Sequence, residues 1–202
     1  MYKIIQVHAS TNNVEFRVRT GKTLHLVLIG TESFDVHVTV RLMGKGASAF
    51  ITGICLGSGN TKQLLHTMQY HEAPDTMSDL LIKTVLSDHS KFFYDGGIRV
   101  EKIAQKTNAY QRNENLLLSG RPYAESKPSL EILANDVRCT HGATTGPIDQ
   151  EQLWYLSSRG MSKHTGEKLI TQGFIQSALP RIGNQRIIYK LCKTIFRSFA
   201  VR

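Results

Sequence analysis

From Val14 to about Ala143, apolar and polar residues alternate in short runs. The clearest are Val14, Phe16 and Val18; Leu24, Leu26 and Leu28; Phe34, Val36, Val38, Val40 and Leu42; Leu80, Ile82, Thr84 and Leu86; and Leu130 with Ile132. Extended backbone sends successive side chains to opposite faces, so each run predicts a strand. Asp35, His37, Thr39 and Arg41 interleave the third run, which therefore has one buried and one wet face. Glycines at 21, 30, 44, 46, 53, 57, 59, 96, 97 and 120 punctuate the runs, as in a sandwich, a barrel or a β-solenoid. Tight hairpin signals are nearly absent, Asp95-Gly96 being the one candidate, and this favours parallel coils over a meander.

After Gly146 the period becomes helical. Asp149 is an N-cap with Gln152 placed for a capping box, Ile148 and Leu153 occupy staple positions, and Gly160 stops the helix. A second helix follows Ser162, with Gly166, Leu169, Ile170, Gly173, Phe174 and Ala178 on one face until Pro180. A third carries Ile187, Ile188, Leu191, Ile195, Phe196 and Phe199 as its apolar stripe.

At 202 residues, 41% hydrophobic and 20% charged, the chain has the composition of a folded protein with a real core. No apolar run approaches the roughly 20 residues of a membrane helix. The first residues have the look of neither an export signal nor a transit peptide, so the expected place is the cytoplasm. Three scattered cysteines, Cys55, Cys139 and Cys192, without a CxxC pair, give neither a disulfide framework nor a zinc knuckle. The net charge of +9 is concentrated toward the end, where Arg181, Arg186, Lys190, Lys193, Arg197 and Arg202 occur with no acidic residue after Pro180. Such a tail is either a solvated helix face or a docking surface for an anionic partner.

Gly21-Lys22-Thr23 and the segment from Gly44 to Ala49 imitate nucleotide-binding loops, but both run into strands, whereas a phosphate cradle needs a helix N-terminus. His66 and His71 fall on opposite faces of a strand and read as surface residues. Asn113 and Asn115 read as turn residues.

Cys139 and His141 are different. If Leu130 to Ala143 is extended, they share a face with their roots about 7 Å apart. Thiolate and imidazole suit iron, zinc or copper, but two ligands do not close a tetrahedral site, so further donors must come from another coil or another chain. A Cys–His nucleophilic pair needs an orienting group and an oxyanion hole, neither visible here. A buried thiol beside a hydrogen-bonded histidine is the plain structural alternative.

The surrounding stretch, from Asn108 to Ile175, holds a dense set of signature positions. They are Gln111, the run Asn115 to Ser119, Pro128, Asp136-Val137, Cys139 to Thr144, Gly146, Asp149, Gln152, Tyr155-Leu156, Ser158 to Gly160 and Gly173-Phe174. In these it resembles the SufB/SufD family of iron–sulfur cluster assembly proteins, with weaker likeness from about Leu56 to Leu179. Cys139-Thr140-His141-Gly142 matches the SufD pattern, Cys-Ser-His-Gly; the SufB type has glutamate where Gly142 stands. Gly166 replaces a frequent alanine and Trp154 a usual phenylalanine.

The resemblance implies a mainly β fold: a right-handed parallel β-helix over 1–146, then a small helical domain over 147–202. It implies a non-enzymatic scaffold that pairs with a SufB-like chain, or with itself as a homodimer. A nascent Fe-S cluster or iron would be held transiently at that interface. There His141 would be a shared ligand beside cysteine and glutamate from SufB, with Cys139 as an auxiliary thiol. Gln152, Trp154, Tyr155, Leu156, Arg159 and Gly160 would belong to the part that docks a SufC-type ABC ATPase. No nucleic acid or membrane partner is implied. Family members are about twice this length, which leaves an N-terminal helical domain and the first coils outside this sequence. The exposed coil would then be capped by residues 1–20 or by another protein. The rival readings are a nucleic-acid or membrane-surface adaptor using the basic tail, and a β-helix carbohydrate-active enzyme, which would need convergent carboxylates.

Overall fold

The computed structural model describes residues 1–189, 191 and 192. It divides into two compact units, Met1–Pro147 and Ile148–Arg202. The first is all strand: β1 (Tyr2–Val7), β2 (Asn13–Val18), β3 (Thr23–Gly30), β4 (Phe34–Leu42), β5 (Ser48–Gly57), β6 (Lys62–His71), β7 (Met77–Leu86), β8 (Lys91–Val100), β9 (Thr107–Leu117), β10 (Tyr123–Ile132) and β11 (Val137–Pro147). Odd-numbered strands form one sheet in the order β1-β3-β5-β7-β9-β11, and even-numbered strands form the other, β10-β8-β6-β4-β2. Every pairing is parallel. The result is a parallel β-solenoid, each complete coil giving one strand to each sheet.

The alternation read from the sequence sets the inside. β4 is buried at Phe34, Val36, Val38, Val40 and Leu42, with Asp35 and His37 exposed between them. Leu26, Ile51 and Leu80 stack in register across β3, β5 and β7, each at most 1% exposed. Burying such a side chain contributes about 1.5–3 kcal/mol, so these columns hold the early coils together. Farther along, the same columns turn polar. Gln111 continues the Leu80 position in β9 at 0% exposure, and its Nε2 donates to the Gly96 carbonyl while its Oε1 accepts from Gln69.

The corners repeat as well. Gly21, Gly46, Asp75 and Lys106, one before each of β3, β5, β7 and β9, all have φ between 58° and 70°. In each case the amide of that residue donates to a carbonyl one coil on: Lys45, Pro74, Gln105 and Asp136. Glycine suits this left-handed position, but here aspartate and lysine also adopt it. For that reason glycine spacing alone understates the repeat.

Several sequence expectations change. Asp95-Gly96 is no hairpin; both lie inside β8, and Gly96 is there because a Cβ would meet Gln111 Nε2 and Tyr94 Oη. Gly30, Gly53, Gly57 and Gly97 are likewise strand residues rather than turns. Asn113 and Asn115 are not at a turn. They are buried on β9 and hydrogen-bond each other at 2.9 and 3.1 Å, which satisfies amides inside an otherwise dry column. His71 is no surface histidine: it is 0% exposed, with hydrogen bonds to Thr76 and Ser78 hydroxyls. Leu130 to Ala143 is two strands, with a corner between Ile132 and Val137. Residues 1–20 do not form a cap but supply β1 and β2, which join the ladders.

In the second unit, α1 (Gln150–Ser158) starts at Asp149, whose carboxylate accepts from the Glu151 amide, and ends before Gly160 at φ 85°. Helix α2 (Lys163–Gln176) starts at Ser162, whose hydroxyl caps the Thr165 amide. Its buried face is Gly166, Thr171 and Ile175; Leu169 and Gly173, placed on that face from sequence, are exposed. Gly166 lets the helices close up, since a Cβ there would sit 3.3 Å from Leu153. A 3-10 turn, Leu179–Ile182, follows, then helical backbone at 185–189, 191 and 192. Leu191 of the third apolar stripe is buried, whereas Ile195, Phe196, Phe199 and the basic residues Lys190, Lys193, Arg197 and Arg202 lie outside the described residues.

Candidate functional site

The inward face of β9 carries Thr107, Ala109, Gln111, Asn113 and Asn115, all buried. In the β9–β11 register these positions stand opposite Val137, Cys139, His141, Ala143 and Thr145. Cys139 and His141 therefore occupy the inward columns of the last coil. No described strand lies beyond it: β11 pairs only with β9, and β10 only with β8. What would be core one coil earlier is surface here, and His141 is exposed while Cys139 is half-buried.

Cys139 rests on the small apolar cluster of Ile98, Val100, Ala104, Ala109 and Ala134. This burial pushes its thiol above the usual range, partly offset by a backbone hydrogen bond from Ala109. Farther along the same ladder, Asn115 Nδ2 donates to Thr145 Oγ1 at 3.0 Å and the Ser126 hydroxyl donates to Asn113 Oδ1. The open end is thus anchored by satisfied amides from within. Chemically it offers one imidazole and one protonated thiol, too few donors to enclose an iron or a cluster without another chain.

Of the sequence-predicted helical positions, Gln152, Trp154, Tyr155, Arg159 and Gly160 are exposed and Leu156 is half-buried. Trp154 is 74% exposed and Tyr155 54%, and the Arg159 guanidinium lies 5.4 Å from the Tyr155 ring centre. Gln152, Tyr155 and Leu156 line a shallow groove with Leu169 and Ile170.

A donor cluster that the sequence reading did not assemble lies on the outer face of the even-numbered sheet. Asp35, His37 and His66 each offer a ligand atom, all within 4.8 Å of one another. The parallel register brings His37 opposite His66. The signal was a pair of histidines one coil apart, legible only once the coil length is known.

A two-sheeted parallel β-solenoid with soft donor atoms bared on its last coil is the class of protein these features define. The chain belongs to the SufBD family: residues 5–174 match the model described as "SUF system FeS cluster assembly, SufBD core domain". It is 33% identical over 150 residues to the iron–sulfur cluster assembly protein SufD of Escherichia coli, covering 74% of this chain and 36% of that protein. To the chloroplastic protein ABCI7 of Arabidopsis thaliana it is 33% identical over 124 residues, covering 61% of this chain and 26% of the relative. SufD of Bacillus subtilis is 28% identical over 159 residues, 79% of this chain and 36% of the relative. The chain thus spans about a third of the length of these relatives. The matched region begins well upstream of Leu56, where the sequence resemblance began. Among the described residues no helix is long and apolar enough to cross a membrane.

Proposed function

We propose that this chain is a SufD-like, non-catalytic scaffold subunit of SUF-type iron–sulfur cluster assembly, acting in the cytoplasm. One observation carries the reading: Cys139 and His141 continue buried columns onto a coil beyond which no described strand lies. A second molecule, a SufB-like chain or another copy of this one, covers that coil. His141 serves as a shared ligand to the iron or nascent cluster, which is cargo. Cys139 is auxiliary, because its raised thiol must first lose a proton to ligate. Exposed Trp154 and Tyr155, with Gln152, Leu156, Arg159 and Gly160, form the docking surface for a SufC-type ABC ATPase; aromatic and arginine side chains are the usual anchors of such surfaces.

The test is anaerobic co-expression with a SufB-like chain and a SufC-type ATPase, read by co-purification and by visible absorbance of bound cluster. A stable complex that accumulates cluster supports the proposal. Failure to associate with either partner overturns it.

A further inference from the structure

The even-numbered sheet presents its outer face to water, and there the coil repeat builds a second constellation, apart from Cys139 and His141. Asp35 and His37 are two residues apart on β4 and share its exposed face. His66 of β6 lies opposite His37, and Asp95 of β8 lies opposite His66. The two imidazoles stack with centres 4.2 Å apart and planes 7° from parallel. His66 Nε2 is 3.6 Å from Asp35 Oδ1, and its Nδ1 is 3.7 Å from Asp95 Oδ2. The nearest cation along this column, Lys127, is engaged by Glu125 at 2.7 Å.

We propose that Asp35, His37 and His66 bind a divalent metal ion of the zinc class. Two imidazole nitrogens and one carboxylate oxygen match that class: nitrogen donors disfavour magnesium and calcium, and the absence of a thiolate from the set disfavours copper(I). Around a tetrahedral zinc, donor atoms lie roughly 3.3–3.5 Å apart. Closing the present limit of 4.8 Å requires the two stacked rings to turn out of their parallel arrangement toward a common point, a movement of side chains on backbones that the ladder already holds in register. Asp95 is a positioning residue. Its Oδ2 stands 3.7 Å from His66 Nδ1, placed to accept a hydrogen bond from that nitrogen when Nε2 turns to the metal. Water takes the fourth position. The site does not depend on the scaffold reading above.

The test is titration of the metal-free full chain with Zn²⁺ in competition with a chromophoric chelator, with Mg²⁺ at millimolar concentration throughout. One equivalent of zinc is expected at micromolar affinity or better. H37A and H66A should each weaken it at least tenfold, and D95N about tenfold. The doubly substituted C139S/H141A chain should retain it. Circular dichroism controls for folding, which substitution of exposed His37 and half-buried His66 on the sheet's outer face should not disturb. Absence of zinc binding, displacement by Mg²⁺, undiminished affinity in H66A, or loss in C139S/H141A alone would each overturn the assignment.

Discussion

His141 stands directly across from Gln111 in the β9–β11 ladder, so an exposed imidazole and a fully buried amide occupy the same column one coil apart. The imidazole has the place of a core residue without the core. His141→Ala should therefore change unfolding free energy by no more than about 0.5 kcal/mol, while abolishing cluster accumulation in the reconstituted complex. Urea unfolding and visible absorbance check the two halves, and an unchanged cluster yield would remove His141 from the site.

Gly96 and Gly142 provide a matched contrast. A Cβ on Gly96 would sit 2.4 Å from both Gln111 Nε2 and Tyr94 Oη, whereas nothing lies within 4 Å of one on Gly142. Gly96→Ala is expected to cost about 1–3 kcal/mol through overpacking. Gly142→Ala should leave stability within about 0.5 kcal/mol. Chemical denaturation of the two variants side by side measures the difference.

Burial holds His71 down at about 4, far below the ordinary histidine value near 6.5. The folded state thus resists the proton that the unfolded chain accepts. Stability from this residue is complete above about pH 6.5 and is lost as pH falls from there toward 4, by on the order of 3 kcal/mol. Unfolding curves at pH 7.5, 6, 5 and 4 should fall more steeply for the wild type than for His71→Gln. Parallel pH dependence in the two proteins would show that His71 is not the group responsible.

Both solenoid cysteines have raised thiols, Cys55 pushed up to about 12 and Cys139 raised less, each by burial. Alkylation by iodoacetamide at pH 8, followed by peptide mass spectrometry, should label Cys139 more slowly than a free thiol and leave Cys55 unlabelled until the protein unfolds. Covering the last coil with a partner should slow Cys139 further.

Trp154 projects into solvent from α1, 74% exposed. Trp154→Ala is expected to leave the melting temperature almost unmoved. It should reduce recovery of a SufC-type ATPase in pull-downs at least tenfold, as the loss of an aromatic anchor does. Equal recovery would relocate the docking surface.

Much of this architecture was legible in the sequence because period-two alternation survives wherever one strand face is wet, as at Asp35 and His37. Alternation left sandwich, barrel and solenoid open; the missing hairpin turns favoured parallel coils, and the resemblance to the SufB/SufD family decided for them. Polar residues inside the later coils misled the reading. Asn113 and Asn115 look like turn residues because partners one coil away, Ile82 and Thr145, are invisible in a linear chain, and His71 looks like a surface residue because Thr76 and Ser78 reach it only across the next corner. Cys139 and His141 could be paired from spacing alone, but their exposure depends on being in the last coil. The His37–His66 pair depends on register, which no local pattern specifies.

Among the described residues no further strand pairs with the outer edges of β10 and β11, which has a cost beyond the site they frame. Rows of unsatisfied amides and carbonyls recruit whatever extended chain comes near, including surplus copies of the same molecule. On the proposed scaffold role, an excess of this chain over its partner would leave those edges open to edge-to-edge association.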